Sequence, residues 1–342
     1  MRIASDRCLA RLKANAMRLW ILLVAIACGA GLFPSEQADA QPSGKLWRVG
    51  VLAPDSPATG AYTGFVRAMQ ELGYVEGKTL SLTWRFAEGR YERLPALATE
   101  LVRAKVDVIL AGTTLRVQAA RQATADIPIV MVAVPDPVGE GFVARLARPG
   151  GNVTGLSNIV TELSAKHLEM LRSVVPKLSR VAVLLHPQNP SDSLILEQLQ
   201  GAAYASGVKI IPIEASTAAQ IEAGFAAMRR ARSEALIVAA DSYFDMQRDQ
   251  IAKLAIANRL PMISSSRQLT HAGGLMSYGQ DLAQHYRRAA TYVDRILKGG
   301  KPASLPVEQP TVLDLVLNRK TANLLDLVLP QELVFRANQV SE

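Results

Sequence analysis

From Leu46 onward, short runs of consecutive apolar residues alternate with longer stretches of helical period. The strand-like runs are 47–52 (WRVGVL), 80–86 (LSLTWRF), 106–111 (VDVILA) and 127–134 (IPIVMVAV). They resume at 180–185 (RVAVLL), 208–214 (VKIIPIE), 235–240 (ALIVAA) and 261–265 (PMISS). Several are apolar on successive positions rather than alternate ones, which suits strands covered on both faces. Leu282, Tyr286, Ala289, Val293 and Ile296 fall four, three, four and three apart, and this single stripe predicts a helix over 281–298. Another helix is predicted over 161–175, opened by Thr161 as its cap and stopped by Pro176. Strands and helices in this alternation point to βαβ units with a parallel sheet.

The alternation breaks once. Four βα units end near Val134, Pro149-Gly150-Gly151-Asn152 punctuates the chain, and a short strand over 153–157 leads into a fresh set of units. The expected fold class is therefore α/β, with two Rossmann-like lobes built on parallel sheets. Open sheets of this kind bind ligands at the carboxyl ends of their strands, and a cleft between two lobes is the place to look.

Ahead of this pattern lies a segment with the parts of an export signal: basic residues from Arg2 to Arg18, an uncharged run from Leu19 to Phe33, and Ala38-Asp39-Ala40 as a cleavage site. The run spans roughly 22 Å as a helix, short of the roughly 30 Å hydrocarbon core. The reading is a signal peptide over 1–40, cut after Ala40, and a periplasmic mature protein. Met17 is an alternative start, and Cys28 an alternative lipid-attachment point. Cleavage after Ala40 removes both cysteines, Cys8 and Cys28, which excludes disulfides and thiolate chemistry from the mature domain. The formal charge is +8, but clusters such as Arg229-Arg230-Arg232 and Arg287-Arg288 are dispersed along helices and aromatics make up only 5%. That pattern reads as solvated helical faces, and no nucleic-acid partner is expected.

Nothing in the sequence asks for catalysis. His167, His186, His271 and His285 are far apart, and the nucleophile-elbow, zinc-protease, Walker and dinucleotide fingerprints are all missing. No catalytic residue, metal or cofactor is assigned. The strand ends offer small polar groups instead. Ser56 follows the first strand. Thr113 and Thr114 follow Gly112 and open a helix whose free N–H groups favour a carboxylate, unless they form a plain capped turn. Asp136 sits in the turn after strand 127–134, and Ser157 and Asn158 end the short strand. In the second half, Asn189 follows strand 180–185, while Asp241 and Tyr243 follow strand 235–240. Asp241 reads either as a partner for an ammonium group or as a helix N-cap. Together these loops would hold a small zwitterion, carboxylate at the first lobe and ammonium at the second.

Several stretches resemble one bacterial family of ABC-transporter substrate-binding proteins: Glu71-Leu72-Gly73-Tyr74-Val75-Glu76-Gly77, Asp136-Pro137-Val138-Gly139, Ala147 to Leu156 (ARPGGNVTGL), Ala272 to Gly279 (AGGLMSYG) and Leu305 to Pro310 (LPVEQP). The resemblance runs from about residue 47 to the C-terminus, and the family includes tryptophan- and tyrosine-binding members. It implies the type I periplasmic binding protein fold, two lobes joined by a three-strand hinge. The implied lobes are 45–157 plus 275–305 and 158–274 plus 306–342, with Tyr278 near the site. It also implies a monomeric receptor that closes on a small ligand, such as an amino acid, and delivers it to an ABC permease with a cytoplasmic ATPase. A sensor module signalling to a membrane kinase is the alternative. Where relatives often carry an aromatic and acidic stretch, this chain has Ser264 to His271 (SSSRQLTH), a segment expected to face the cleft, with Arg267 read either as favouring an acidic group or as an exposed loop arginine.

Overall fold

The computed structural model describes residues 45–54, 60–309 and 311–342. The expected export signal, with Met17, Cys28 and the Ala40 cleavage point, lies outside the described residues, as does Ser56. Leu46–Glu342 pack as one unit, which holds two sheets.

The first sheet is parallel, in the order β2-β1-β3-β4-β5: β1 (Trp47–Ala53), β2 (Leu80–Phe86), β3 (Val108–Ala111), β4 (Ile129–Val134) and β5 (Val153–Ser157). Helices α1 (Gly60–Glu71), α2 (Leu94–Arg103) and α3 (Thr114–Ala123) accompany it. Its central strands β3 and β4 are buried almost throughout, as runs of Val, Ile and Leu require when helices cover both faces.

The second sheet has seven strands in the order β12-β11-β10-β9-β8-β6-β7. They are β6 (Arg180–Leu185), β7 (Lys209–Glu214), β8 (Ala235–Val238), β9 (Met262–Ser264), β10 (Met276–Gly279), β11 (Asp314–Asn318) and β12 (Gln339–Ser341). Only the β10–β11 pair is antiparallel. Its helices are α4 (Val160–Val174), α5 (Ser191–Ser206), α6 (Ala218–Arg230), α7 (Ser242–Met246), α8 (Arg248–Ala257) and α9 (Arg267–His271), then α11 (Arg319–Leu324) and α12 (Gln331–Arg336). Between α9 and α11, α10 (Leu282–Leu297) returns to the first lobe and packs with α1 around Phe65, Met69, Tyr286 and Val293.

The strands expected from apolar runs all form, with bounds within two residues of those expected, whereas β10, β11 and β12 are additional. The α10 stripe is buried at Tyr286, Ala289, Val293 and Ile296, but Leu282 is 37% exposed, because it directly follows the Asp281 cap. Thr161 does not cap α4. It lies inside the first turn and donates to Glu162, while Asn158 Oδ1 accepts the Val160 N–H.

Three crossings join the lobes. One follows β5 at Asn158. The second lies at Gln280, because β10 is laddered to β9 and β11 and so keeps 276–279 in the second lobe. The third lies beyond Glu308, because that residue donates to the Gly155 carbonyl and accepts from the Ser157 N–H alongside β5. Backbone pairing thus keeps 276–279 with the second sheet and Glu308 beside β5 of the first. The Pro149–Leu156 motif is structural. Asn152 Nδ2 bonds the Ile127 carbonyl at 2.9 Å, and Thr154 bonds that of Leu305 at 2.6 Å. Gly155 has φ +129°, and a Cβ there would lie 2.1 Å from the Met131 carbonyl oxygen.

Arg267 serves the hinge rather than an acidic ligand. Its guanidinium bonds Asp281 Oδ2 and Asp314 Oδ2, each at 3.1 Å. Asp281 caps α10 of the first lobe and Asp314 opens β11 of the second, so one cation ties together the second and third crossings. In Arg267→Ala the two carboxylates are left facing each other, and a loss of about 1 kcal/mol is expected. Thermal unfolding in low and high salt checks it. The deficit should shrink with salt, and a deficit that does not respond would exclude an ionic role.

Candidate functional site

The loops after β2 and β3 meet the loops after β6 and β8, so the carboxyl ends of the two sheets converge. Tyr91, after β2, donates its hydroxyl to Asp241 Oδ1 at 2.5 Å across the lobe boundary. The same oxygen accepts the Tyr243 N–H at 2.7 Å and so caps α7, and Oδ2 accepts Asn189 Nδ2 at 3.1 Å. Asp241 is thus both the N-cap and the carboxylate at the centre of the second lobe's polar cluster. Burial pushes its pKa up, opposed by the Tyr91 hydroxyl, His186, the Tyr243 N–H and Arg116. Burial and the neighbouring Asp241 push the Tyr91 hydroxyl up in turn.

The first lobe answers with a cation. Arg116, on the first turn of α3, is buried and donates from Nη2 to Ser242 Oγ at 2.7 Å, a second bond between the lobes. Aromatic rings stand beside it. Tyr62 lies 4.5 Å from Tyr286 and 5.4 Å, edge-on, from Trp84, which stacks on Phe86 at 6.1 Å. The Tyr286 hydroxyl donates to that of Tyr62 at 3.1 Å. On the opposite side His186 lies 4.9 Å from Tyr91, 5.6 Å from Tyr243 and 6.1 Å from Phe244. Such rings give an apolar wall with polar tips. Charged groups of both signs within aromatic walls suit a small amphipathic molecule bearing an acid and a base. Among the described residues no group of His, Cys, Asp or Glu is placed to hold a metal.

Of the residues expected at the site, Asn189, Asp241 and Tyr243 come together. Thr113 and Thr114 open α3 beside Arg116. Thr113 makes no cap bond, and the buried Thr114 hydroxyl is without a hydrogen-bond partner. The others serve the backbone. Asp136 is exposed and accepts the Gly139 N–H at 2.8 Å, closing a turn. Ser157 is buried against the Glu308 carbonyl, and Asn158 bonds the Ala133 carbonyl at 3.0 Å. The Tyr278 carbonyl accepts from His167 Nε2 at 2.7 Å, and its side chain packs on the second lobe's core. Sequence reasoning missed Arg116, Tyr62, Trp84, Tyr91, His186 and Tyr286 as site residues. The available signal was position: Tyr91, Arg116 and His186 each lie within six residues of a strand's carboxyl end.

Comparison with known proteins agrees with this architecture. The chain is 27% identical over 267 residues to a tyrosine-binding protein of Clostridioides difficile, covering 78% of this chain and 76% of that protein. A conserved domain protein from Vibrio cholerae O1 superposes with a TM-score of 0.81 at 28% identity, over 87% of this chain and all of the other. An ABC domain from Streptococcus pneumoniae in complex with L-Trp gives 0.80 at 23% identity, over 86% and 100%, and shares the fold. Among the described residues no helix is long and apolar enough to cross a membrane. Residues 50–341 match the ABC transporter substrate binding protein family, whose members bind solutes and are not enzymes, and the chain belongs to that family.

Proposed function

We propose that this chain is the extracytoplasmic receptor of an ABC importer and that its interlobe cleft closes on an amino acid with an aromatic side chain. The observation that carries the reading is that a buried cation of one lobe, Arg116, and a carboxylate of the other, Asp241, lie at one lobe boundary, with the aromatic cluster of Tyr62, Trp84, Phe86 and Tyr286 on the arginine's side. The tyrosine-binding relative supports it. Closure is a hinge motion about the three crossings, driven by the ligand's higher affinity for the closed form. The closed surface then presents the ligand to the permease. Residues 1–40 direct export and are removed, so protein recovered from the periplasm should begin at Gln41.

A thermal-shift screen of the purified protein against the common amino acids tests the ligand class. At one common concentration tryptophan, tyrosine and phenylalanine should give the largest rises in Tm, and a ligand at 100 times its Kd should stabilise by about 2.7 kcal/mol. A flat response to all amino acids would overturn the reading.

A further inference from the structure

Arg116 carries a charge that the fold buries with no ion-pair partner among the described residues. Its side chain is 3% exposed, and an arginine does not relieve burial by losing its proton. Of its five N–H donors, only Nη2 makes a direct hydrogen bond to a described residue, the neutral Ser242 hydroxyl. Tyr62, Tyr286, Tyr91 and Asp241 act on it through their charge distribution alone.

The position of the guanidinium is fixed from beneath. A Cβ on Gly112 would lie 2.9 Å from Nη1 and 2.3 Å from the Tyr286 hydroxyl, so the loop after β3 admits both groups only because residue 112 has no side chain. The same loop leads directly into the ten-residue helix α3. There Thr114, 3% exposed, holds a buried hydroxyl with no partner. A planar donor fork, an unpartnered hydroxyl and a helix N-terminus thus share the first turn of α3, and all three favour an anion.

We infer that Arg116, with Thr114 and the amino end of α3, receives the carboxylate of the ligand and makes a free acid obligatory for binding. The inference rests on the amino-acid reading above and adds which group of the ligand is essential and which residue takes it. Charge balance points the same way. Arg116 and Asp241 come from opposite lobes with opposite signs, so a zwitterion engages both while an amide or an amine leaves the buried guanidinium unmatched. Specificity of this kind comes from the cost of the unpaired site group, not from shape.

Calorimetry on the purified protein with L-tryptophan, L-tryptophanamide and tryptamine tests this. Loss of the carboxylate should weaken binding by about 100-fold or more. In Arg116→Gln, tryptophan should fall to the level of the amide while the amide changes little, and Arg116→Lys should restore part of the preference. The wild-type ligand series needs no variant, so the inference stays testable if Arg116→Gln does not fold. Wild-type binding of tryptophanamide within threefold of tryptophan, or a preference that survives in Arg116→Gln, overturns the role of Arg116 and leaves the receptor reading intact. Binding of none of the three, with no amino acid bound in the screen, overturns both.

Discussion

Replacement of Asp241 by alanine is expected to lower stability by about 2–4 kcal/mol and to weaken amino-acid binding by at least about 100-fold. Three donors converge on this carboxylate: the Tyr91 hydroxyl, the Tyr243 N–H and Asn189 Nδ2. Alanine leaves the first two without an acceptor, removes the cap of α7, and takes away the negative charge that faces the buried Arg116. Burial raises the Asp241 pKa, so the charge itself is costly in the fold. Asp241→Asn separates the two roles. It keeps an oxygen for Tyr91 and Tyr243 but cannot neutralise an ammonium group. Urea denaturation should therefore show most of the wild-type stability in Asp241→Asn. Calorimetry should show tryptophan binding lost while indole-3-propionate, which lacks the amino group, binds no worse than to wild type. Unchanged tryptophan affinity in Asp241→Asn would remove Asp241 from any ammonium site.

The parts of this molecule that were legible in the sequence are those where one residue's chemistry decides the outcome locally. Val-Ile-Leu-Ala at β3 and Ile-Val-Met-Val-Ala-Val at β4 have little choice but to be buried strands. Asp241 and Asn189 stand just after strands, where polar side chains either cap or bind; Asp241 caps α7 and Asn189 bonds its free oxygen. The three-residue β12 carries no apolar run, and β10 and β11 find their places through pairing with each other and with β9 and β12. Arg116 was hidden for a related reason. Within α3 it resembles any helical arginine, and its burial follows from Gly112 and Tyr286, the latter 170 residues away in the chain. Tyr286 was read as part of a core stripe, correctly, but the tip of the same ring also reaches the site. Asp136, Ser157 and Asn158 show the other use of such positions. Small polar residues at strand ends are as often needed by the local backbone as by a ligand.

Asp192 should make the protein less stable as the pH rises through neutrality. It lies on the first turn of α5, 7% exposed, with Oδ2 accepting the His186 N–H at 2.6 Å and Oδ1 buried without a partner. Burial pushes its pKa up to about 8; the His186 N–H opposes the rise, and the nearby Asp241 and Glu214 carboxylates add to it. The unfolded chain loses this proton near pH 3.8, so between there and about pH 8 the folded protein holds a proton that the unfolded one has released. Stability then falls with increasing pH by up to about 1.4 kcal/mol per unit, for an upper limit on the order of 5 kcal/mol across the window. His167 works in the opposite sense below pH 6.5, because burial lowers its pKa to about 4 and the neutral ring is favoured in the fold. The difference between wild type and Asp192→Asn cancels that contribution. The variant gains an amide donor where Oδ1 has no partner, so near pH 5 it should be slightly less stable, by about 1 kcal/mol. By pH 8 it should be the more stable protein, by a few kcal/mol. Urea denaturation of both proteins from pH 5 to pH 9 reads the crossover directly, and parallel curves would show that Asp192 is ionised throughout. The crossover matters for function because Asp192 contacts the backbone of His186, whose ring packs against Tyr91 and Tyr243. A charge appearing at Asp192 therefore perturbs the wall of the cleft from behind, and solute affinity should decline over the same pH range in wild type but not in Asp192→Asn.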